Sequence, residues 1–159
     1  TLHTNDSLSA VTRVLEMKSE PYLIASSLGC SISQRLARRI CRHCAVEDLE
    51  ISNPIREEMA AALKIAPSAV RAWKGKGCVE CNEKGHRGRV AIYEFFLLNE
   101  ALANLIQPQL RTGDLRDAAR KFSWRSLREM AWRKVLEGLI PISEQERWTR
   151  VIDPSALQD

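Results

Sequence analysis

Two C-x-x-C pairs constrain the fold of this 159-residue chain more than any other feature of its sequence. Cys41 and Cys44 form the first pair, and Cys78 and Cys81 form the second. Each pair can present two thiolates to one tetrahedral ion from a tight turn, and two pairs complete a four-cysteine shell. A closed shell leaves no position for a substrate or an attacking water. The pattern therefore predicts a structural metal and not a catalytic one.

Zinc is the metal that this pattern favours, with three alternatives left open. Iron of the rubredoxin type takes the same four ligands. Two disulfides would suit a secreted domain, but no signal peptide precedes the cysteines, and Cys30 would be left over. A redox role for one pair does not explain the other. Basic residues crowd both pairs, as a doubly negative metal tetrathiolate requires: Arg38, Arg39, Arg42, His43, Lys74, Lys76, Lys84, Arg87 and Arg89.

The composition indicates a globular chain and excludes some classes of protein. The hydrophobic content is 45%, which is typical of a folded domain. No apolar run approaches the roughly 20 residues that a membrane span needs. The net charge is +4, from 24 basic and 20 acidic residues, which is too balanced to indicate a nucleic-acid partner by charge alone. The cysteine usage indicates a reducing cytosol.

The N-terminal third predicts a helix, an apolar segment and one ambiguous element. A polar run at residues 5–7 can cap a helix that continues to Met17 and is broken at Glu20-Pro21. A short apolar segment follows at residues 22–28. In residues 32–40 the apolar side chains recur at every fourth position, which fits one face of a helix and one face of a strand equally well.

The sequence of the rest of the chain predicts short helices and one strand. Asn53-Pro54 begins a helix through Leu63, Pro67 begins a second that reaches Trp73, and Arg89–Leu98 is a strand. Further helices are predicted at about 100–106, at 112–122, from the capping box Ser126–Glu129 to Gly138, and from a second box, Ser143–Glu146. We interpret Trp124, Trp132 and Trp148 as core or small-interface residues.

Several segments, in this order, resemble the C-terminal part of the secretion-superfamily traffic ATPases, the hexameric motors of type II secretion and type IV pilus assembly. The cysteines, followed by the turn at residues 85–89 and then by Ile-Tyr-Glu, favour these motors over the retraction motors, which lack the cysteines. The resemblance rests on Leu2–Asn5, Tyr22–Leu28, Gln34–Cys44, Gly77–Asn82, Gly85–Glu94, Ser126–Glu129 and Lys134–Gly138.

The resemblance implies an α/β fold with four parts. Residues 1–40 would be the C-terminal end of a RecA-like P-loop ATPase domain, which makes 32–40 a strand. Residues 41–88 would be a tetracysteine zinc-binding insert, and 89–98 a strand returning to the core. Residues 99–159 would form a C-terminal helical subdomain.

The resemblance also implies a function and its partners. His3 resembles the histidine box that senses the nucleotide phosphates in this family. The phosphate-binding sequence G-x-x-x-x-G-K-[ST] is absent from these 159 residues, so ATP and magnesium would bind only in the complete protein. That protein would be a homo-hexamer in the bacterial cytoplasm, peripheral at the inner membrane. It would contact an inner-membrane platform protein and a cytoplasmic adaptor, without a nucleic-acid partner.

The sequence departs from the family pattern at three places. Lys84-Gly85-His86 stands where Thr-Gly-Tyr is usual, and Ala91 stands where glycine is usual. We expect His86 to be solvated or to lie outside the ligand shell, because four cysteines already fill it. Cys30 replaces a small apolar residue, so we expect a buried thiol. The alternative functions are a zinc-ribbon nucleic-acid-binding module and a free-standing zinc adaptor.

Overall fold

The structure, a computed structural model, describes residues 4–149, apart from the side chains of residues 148 and 149. Within that range the chain is mixed α/β. Its strands are β1 (Cys30–Ile40), β2 (Ala45–Glu47), β3 (Trp73–Gly75) and β4 (His86–Leu97). Its helices are α1 (Ser7–Glu16), α2 (Pro21–Ser27), α3 (Asn53–Leu63), α4 (Glu100–Ala103), α5 (Thr112–Lys121), α6 (Leu127–Leu136) and α7 (Ile142–Thr149). Two 3₁₀ turns lie at Pro67–Ala69 and Val79–Cys81.

The chain divides into two compact units. The first unit contains the described residues up to Arg35 together with Tyr93–Leu127. The second contains Leu36–Ile92 together with the described residues from Arg128 onward. The strands β1 and β4 pair with each other and continue from one unit into the other.

The β1–β4 pair is antiparallel, as the hydrogen bonds at its ends show. The Leu98 N–H donates to the Gly29 carbonyl, and the Cys41 N–H donates to the Gly85 carbonyl. The end of each strand therefore lies beside the start of the other, which is the antiparallel arrangement. The second sheet is also a two-stranded antiparallel pair, formed by β2 and β3.

The first unit has its own apolar core. Asp6 caps α1 by accepting a hydrogen bond from the Ser9 N–H at 2.7 Å, which satisfies a free donor of the first turn. Leu8 and Val11 are the fully buried apolar residues of this helix. They belong to a cluster of buried side chains: Leu8, Val11, Ile24, Phe96, Leu102, Ile106, Leu115, Ala119 and Trp124.

A buried carboxylate links three elements of the first unit. Glu94 of β4 is only 1% exposed. Its Oε1 accepts hydrogen bonds from the Ser7 N–H, at 2.7 Å, and from the Ser7 hydroxyl. Its Oε2 accepts one from the Leu127 N–H at 2.7 Å. Ser7 begins α1 and Leu127 begins α6, so one carboxylate satisfies the N-termini of two helices, where the helix dipole favours negative charge.

The core of the second unit lies around α6 and the adjoining ends of β1 and β4. Trp132 and Val135 of α6 are fully buried, as are Ile40 and Ile92 of the strands. The segment between the cysteine pairs contributes little large apolar surface to this core. Of its seven large apolar residues only Met59 is fully buried, and Leu49 is 81% exposed.

Several predicted elements are confirmed. Residues 32–40 form a strand, and the strand predicted over 89–98 is present as His86–Leu97. The helices that begin near Asp6, Asn53 and Thr112 are present, and Trp124 and Trp132 are core residues. The helix α6 ends before Gly138, whose φ of +70° is a conformation that glycine adopts freely. The side chain of Trp148 lies outside the described residues.

Four predictions from the sequence are wrong. The segment after Pro67 forms a single 3₁₀ turn, because Trp73 pairs with Glu47 in a sheet. The helix predicted over 100–106 ends at Ala103. The last helix begins at Ile142, so Ser143 does not cap it. Cys30 is exposed, because it is the first residue of β1 on the outward side of the strand.

In the described part of the chain, no helix combines the length and the apolarity that a membrane crossing requires.

The first prediction concerns Glu94. In Glu94→Gln one carboxylate oxygen becomes an NH₂ group, so a buried backbone N–H loses its acceptor. We expect the free energy of unfolding to fall by about 1–3 kcal/mol, measured by urea denaturation. Glu16→Gln, which changes an exposed carboxylate of the same unit, is the control and should stay within about 0.5 kcal/mol of the unchanged chain. Equal effects of the two variants would contradict the assigned role of Glu94.

Candidate metal centre

The first cysteine pair lies in the turn that joins β1 to β2. Cys41 directly follows β1, and its N–H donates to the Gly85 carbonyl at 2.9 Å. The Cys44 N–H donates to the Cys41 carbonyl at 3.2 Å, which closes a tight turn across the pair. The carbonyl of Cys44 accepts the Lys76 N–H at 3.0 Å, just before the second pair. Backbone hydrogen bonds therefore fix the first turn at both ends.

The second cysteine pair lies in the 3₁₀ turn Val79–Cys81. The Cys81 N–H donates to the Cys78 carbonyl at 3.1 Å, so this pair closes a turn like that of the first. Gly77 precedes the turn with a φ of +97°, which residues with a side chain rarely adopt. Asn82 and Glu83 follow it in the left-handed region. This reversal of the chain returns it toward Gly85 and the start of β4.

Pairing of β2 with β3 brings the two turns together. Ala45 lies opposite Gly75 and Glu47 lies opposite Trp73, so the residues beside Cys44 and those before Cys78 are neighbours. Gly75 and Gly85 also approach each other closely. A Cβ on Gly75 would lie 2.0 Å from the Gly85 carbonyl oxygen, so no side chain fits there. This close backbone contact holds the second turn against the sheet.

The four sulfurs form one cluster of the size that a metal ion requires. All four Sγ atoms lie within 4.8 Å of one another. The separations are 3.9 Å between Cys41 and Cys78, 3.9 Å between Cys44 and Cys81, and 3.7 Å between Cys78 and Cys81. A tetrahedral ion with metal–sulfur bonds of about 2.3 Å requires sulfurs about 3.8 Å apart. The distances also far exceed a disulfide bond of about 2.05 Å. The cluster can therefore hold a metal ion.

The thiols of the cluster differ in acidity. Burial raises the pKa of Cys78 to about 12. Burial acts in the same direction on Cys81, but hydrogen bonds from the backbone outweigh it and lower the pKa of this thiol to about 7. The donors are the N–H groups of Cys78 and Gly85, at 3.3 and 3.2 Å from the Cys81 sulfur. These N–H groups stabilise a thiolate, which is the form that binds metal.

The basic residues near the cysteines do not act as one group. Arg38 donates through its backbone N–H and its guanidinium to Glu144 of α7, which is 1% exposed. Lys74 pairs with Asp48 at 2.9 Å and Glu50 at 2.7 Å, and the hydrogen bonds that it donates to these carboxylates raise its pKa to about 12. These ion pairs neutralise part of the positive charge that lies beside the cysteines in the sequence.

His86 lies at the start of β4 and is not one of the clustered ligands. It is half-buried, and its Nδ1 has no hydrogen-bond partner in the described part of the chain. Desolvation is the main reason that its pKa is lowered, and the charge of Arg38 acts in the same direction. The position of His86 therefore agrees with the expectation that it lies outside the ligand shell.

Sequence reasoning located the four cysteines but missed the residues that support them. The pairing of β2 with β3 joins residues 26 to 30 positions apart, and the contact of Glu144 with Arg38 joins residues 106 positions apart, so no local pattern signals them. The glycines that flank the second pair, Gly75 and Gly85 among them, could have indicated this close approach of the backbone. His3 lies outside the described residues.

The chain belongs to the family described as Type II/IV secretion system protein, whose model matches residues 1–147. It is 37% identical to the Type II secretion system protein HxcR of Pseudomonas aeruginosa over 94% of the chain, and 35% identical to the Type IV pilus assembly ATPase PilB of Thermus thermophilus over 91% of it. The chain spans 28% of the length of the first relative and 16% of the second. The resemblance inferred from the sequence is therefore confirmed.

A solved structure supports the fold. The crystal structure of the pilus retraction motor PilT with bound ADP aligns with 99% of this chain and with 33% of its own length, at a TM-score of 0.55 and 19% identity. This likeness shows the α/β fold alone.

The second prediction concerns the Arg38–Glu144 contact. Burial raises the pKa of Glu144, but the hydrogen bonds from Arg38 outweigh it, so the pKa of this carboxyl lies below its ordinary value of 4.5. The contact therefore stabilises the fold above that ordinary value and is lost as the pH falls through the lower folded value. We expect Glu144→Gln to lower the free energy of unfolding by about 1.5–3 kcal/mol at pH 7.

The difference in free energy of unfolding between the unchanged chain and Glu144→Gln should shrink below pH 4.5. Urea denaturation measured from pH 7 to pH 3 tests this. Glu146→Gln is the control on the same helix, at a carboxylate that is only half-buried. A difference that does not change with pH would show that the Glu144 charge has no part in stability.

Proposed function

We propose that this chain is the metal-bearing part of a cytoplasmic ATPase that powers type II secretion or type IV pilus assembly. The observation that carries the proposal is the four-sulfur cluster in a chain of this family. Relatives with 35–37% identity are named as a type II secretion protein and as a type IV pilus assembly ATPase. The likeness extends over nearly the whole chain.

Zinc is the ion that we propose for Cys41, Cys44, Cys78 and Cys81. Zinc accepts four thiolates in a tetrahedral shell, and the sulfur separations fit its bond length. Its role here would be structural, because the four ligands leave no open coordination position. The segment between the pairs buries little large apolar surface, so the ion would supply much of its folding free energy.

The motor activity would belong to the complete protein. We propose that residues 1–40 end a RecA-like nucleotide-binding domain, that 41–88 form the insert, that 89–98 return to the core, and that 99–159 form a helical subdomain. No G-x-x-x-x-G-K-[ST] sequence occurs in this chain, so the residues that hold ATP and magnesium would come from elsewhere. His3 would sense the state of the nucleotide phosphates.

The partners follow from the family. The complete protein would work as a homo-hexamer against an inner-membrane platform protein and a cytoplasmic adaptor. The insert offers a polar surface of mixed charge, which suits transient docking. Arg71 is an exposed cation on this surface, whereas Lys74 is held in ion pairs with two carboxylates. Arg71 is therefore the better position at which to disturb docking without disturbing the insert.

The third prediction tests the metal. The purified chain should contain one zinc ion per molecule, with zinc–sulfur distances of about 2.3 Å by X-ray absorption. Cys78→Ser should lower the hydrogen-exchange protection of residues 41–88 while the C-terminal helices keep theirs. Cys30→Ser is the matched control, because this thiol is exposed and lies outside the cluster.

Reduced thiols without bound metal would refute the zinc assignment. An iron absorption band would replace zinc with iron. Unchanged protection of the insert in Cys78→Ser would show that the metal does not stabilise it.

The fourth prediction tests the division of roles. The purified chain should not hydrolyse ATP, because it has no phosphate-binding loop. In the complete protein, His3→Ala should lower kcat by at least tenfold and change the nucleotide Kd by much less, because the role assigned to His3 is sensing and not holding. Magnesium-dependent ATPase activity of this chain alone, or a loss of nucleotide affinity as large as the loss of kcat, would overturn the proposal.

A further inference from the structure

A cleft of about 350 Å³ lies in the second unit beside the first cysteine turn. Three segments line it: the end of β1, with Arg39 and Ile40, the cysteine turn itself, with Arg42 and His43, and the start of β4, with Arg87. Four of these five residues have basic side chains, and none is acidic. The cleft is therefore lined mainly by basic residues, which come from three segments of the chain.

The positive charge of this cleft is only partly matched. Arg87 pairs with Glu80 at the surface. Within residues 4–149, neither Arg39 nor Arg42 has an ion pair. Arg39 is half-buried, so its guanidinium has lost some water without gaining an acidic partner. Its neighbour Arg38 differs in this respect, because it pairs with Glu144 at 2.7 Å.

Charge compensation for a metal tetrathiolate does not account for this arrangement. The hydrogen bonds that the Cys81 sulfur accepts come from the backbone N–H groups of Cys78 and Gly85. Arginines that only balanced the thiolates would need no cavity between them. The volume of about 350 Å³ equals about twelve water molecules at roughly 30 Å³ each, which is room for a ligand.

We propose that this cleft binds a phosphate group carried on a larger molecule. A phosphate monoester has nearly two negative charges and three acceptor oxygens, which match several guanidinium forks better than a carboxylate with one charge and two oxygens. The volume exceeds that of one phosphate, so the group attached to it also fits.

The charge and the shape of the cleft define the phosphate but not the molecule that carries it. A soluble phosphate monoester and the headgroup of a phosphatidic-acid membrane present the same chemistry. The two sources are distinguished by the probes used below. None of the five lining residues is one of the four clustered cysteines, and the argument for the cleft does not use the proposed motor function.

The experiment titrates the zinc-loaded 159-residue chain with phenyl phosphate and with sodium chloride at equal ionic strength, and follows binding by NMR shifts of Ile40 and of the arginine Nε–H groups. We expect saturable shifts with phenyl phosphate and none with chloride. Arg39→Gln should weaken binding about tenfold or more, because it removes one charge-assisted contact. Arg71→Gln removes the same charge from an exposed position outside the cleft and should change binding by less than twofold.

Vesicles of phosphatidic acid in phosphatidylcholine test the second source. Competition between vesicles and phenyl phosphate would identify a lipid headgroup as a ligand, and binding of phenyl phosphate alone would identify a soluble one. Zinc content checks the fold of each variant, and Arg42→Gln, at an exposed position, replaces Arg39→Gln if the latter loses zinc. Equal shifts with phosphate and chloride, or equal effects of Arg39→Gln and Arg71→Gln, would overturn the proposal.

Discussion

Contact between two short turns of backbone determines the structure of the second unit. The cysteine pairs are 37 residues apart along the chain, yet their sulfurs lie 3.9 Å apart. The β2–β3 pair and the close approach of Gly75 to Gly85 provide the alignment, and both depend on the main chain more than on side-chain packing. An ion held by four thiolates would hold together the two turns that these backbone contacts align. Such an ion would help an insert whose buried apolar side chains are few, Met59 and Val70 among them, to keep a defined fold.

The first unit depends on a different interaction, made by a buried carboxylate that has no ion pair within residues 4–149. Glu94 accepts hydrogen bonds from the first residues of α1 and α6, where unpaired N–H groups carry partial positive charge. The two helix ends thus take the place of an arginine or a lysine. The residue also belongs to the Ile-Tyr-Glu segment that supports the family resemblance. Its contact with Ser7 connects β4 to the start of α1.

What the sequence could predict depended on the distance along the chain over which each interaction acts. Asp6 accepts a hydrogen bond from the N–H three positions later, and Cys41 and Cys44 share one turn, so local reasoning placed the cap within residues 5–7 and identified the cysteine pair. The strand at residues 32–40 was ambiguous by periodicity, and only the family resemblance decided it. Glu94 and Ser7 are 87 residues apart, and Arg38 and Glu144 are 106 apart. No pattern in a single sequence shows such pairs, because each depends on how the whole unit folds.

The adjacent residues Arg38 and Arg39 show why charge near a metal site has to be assigned residue by residue. In the sequence they form one basic cluster beside Cys41, and the simplest interpretation is compensation for a tetrathiolate. Successive side chains of a strand point to opposite faces, so the fold separates them. Arg38 stabilises the fold through buried Glu144, whereas Arg39 lines a cleft and has no acidic partner among the residues that the structure describes. A pair of arginines that composition treats as equivalent therefore has two roles, and only the second leaves positive charge available to a ligand.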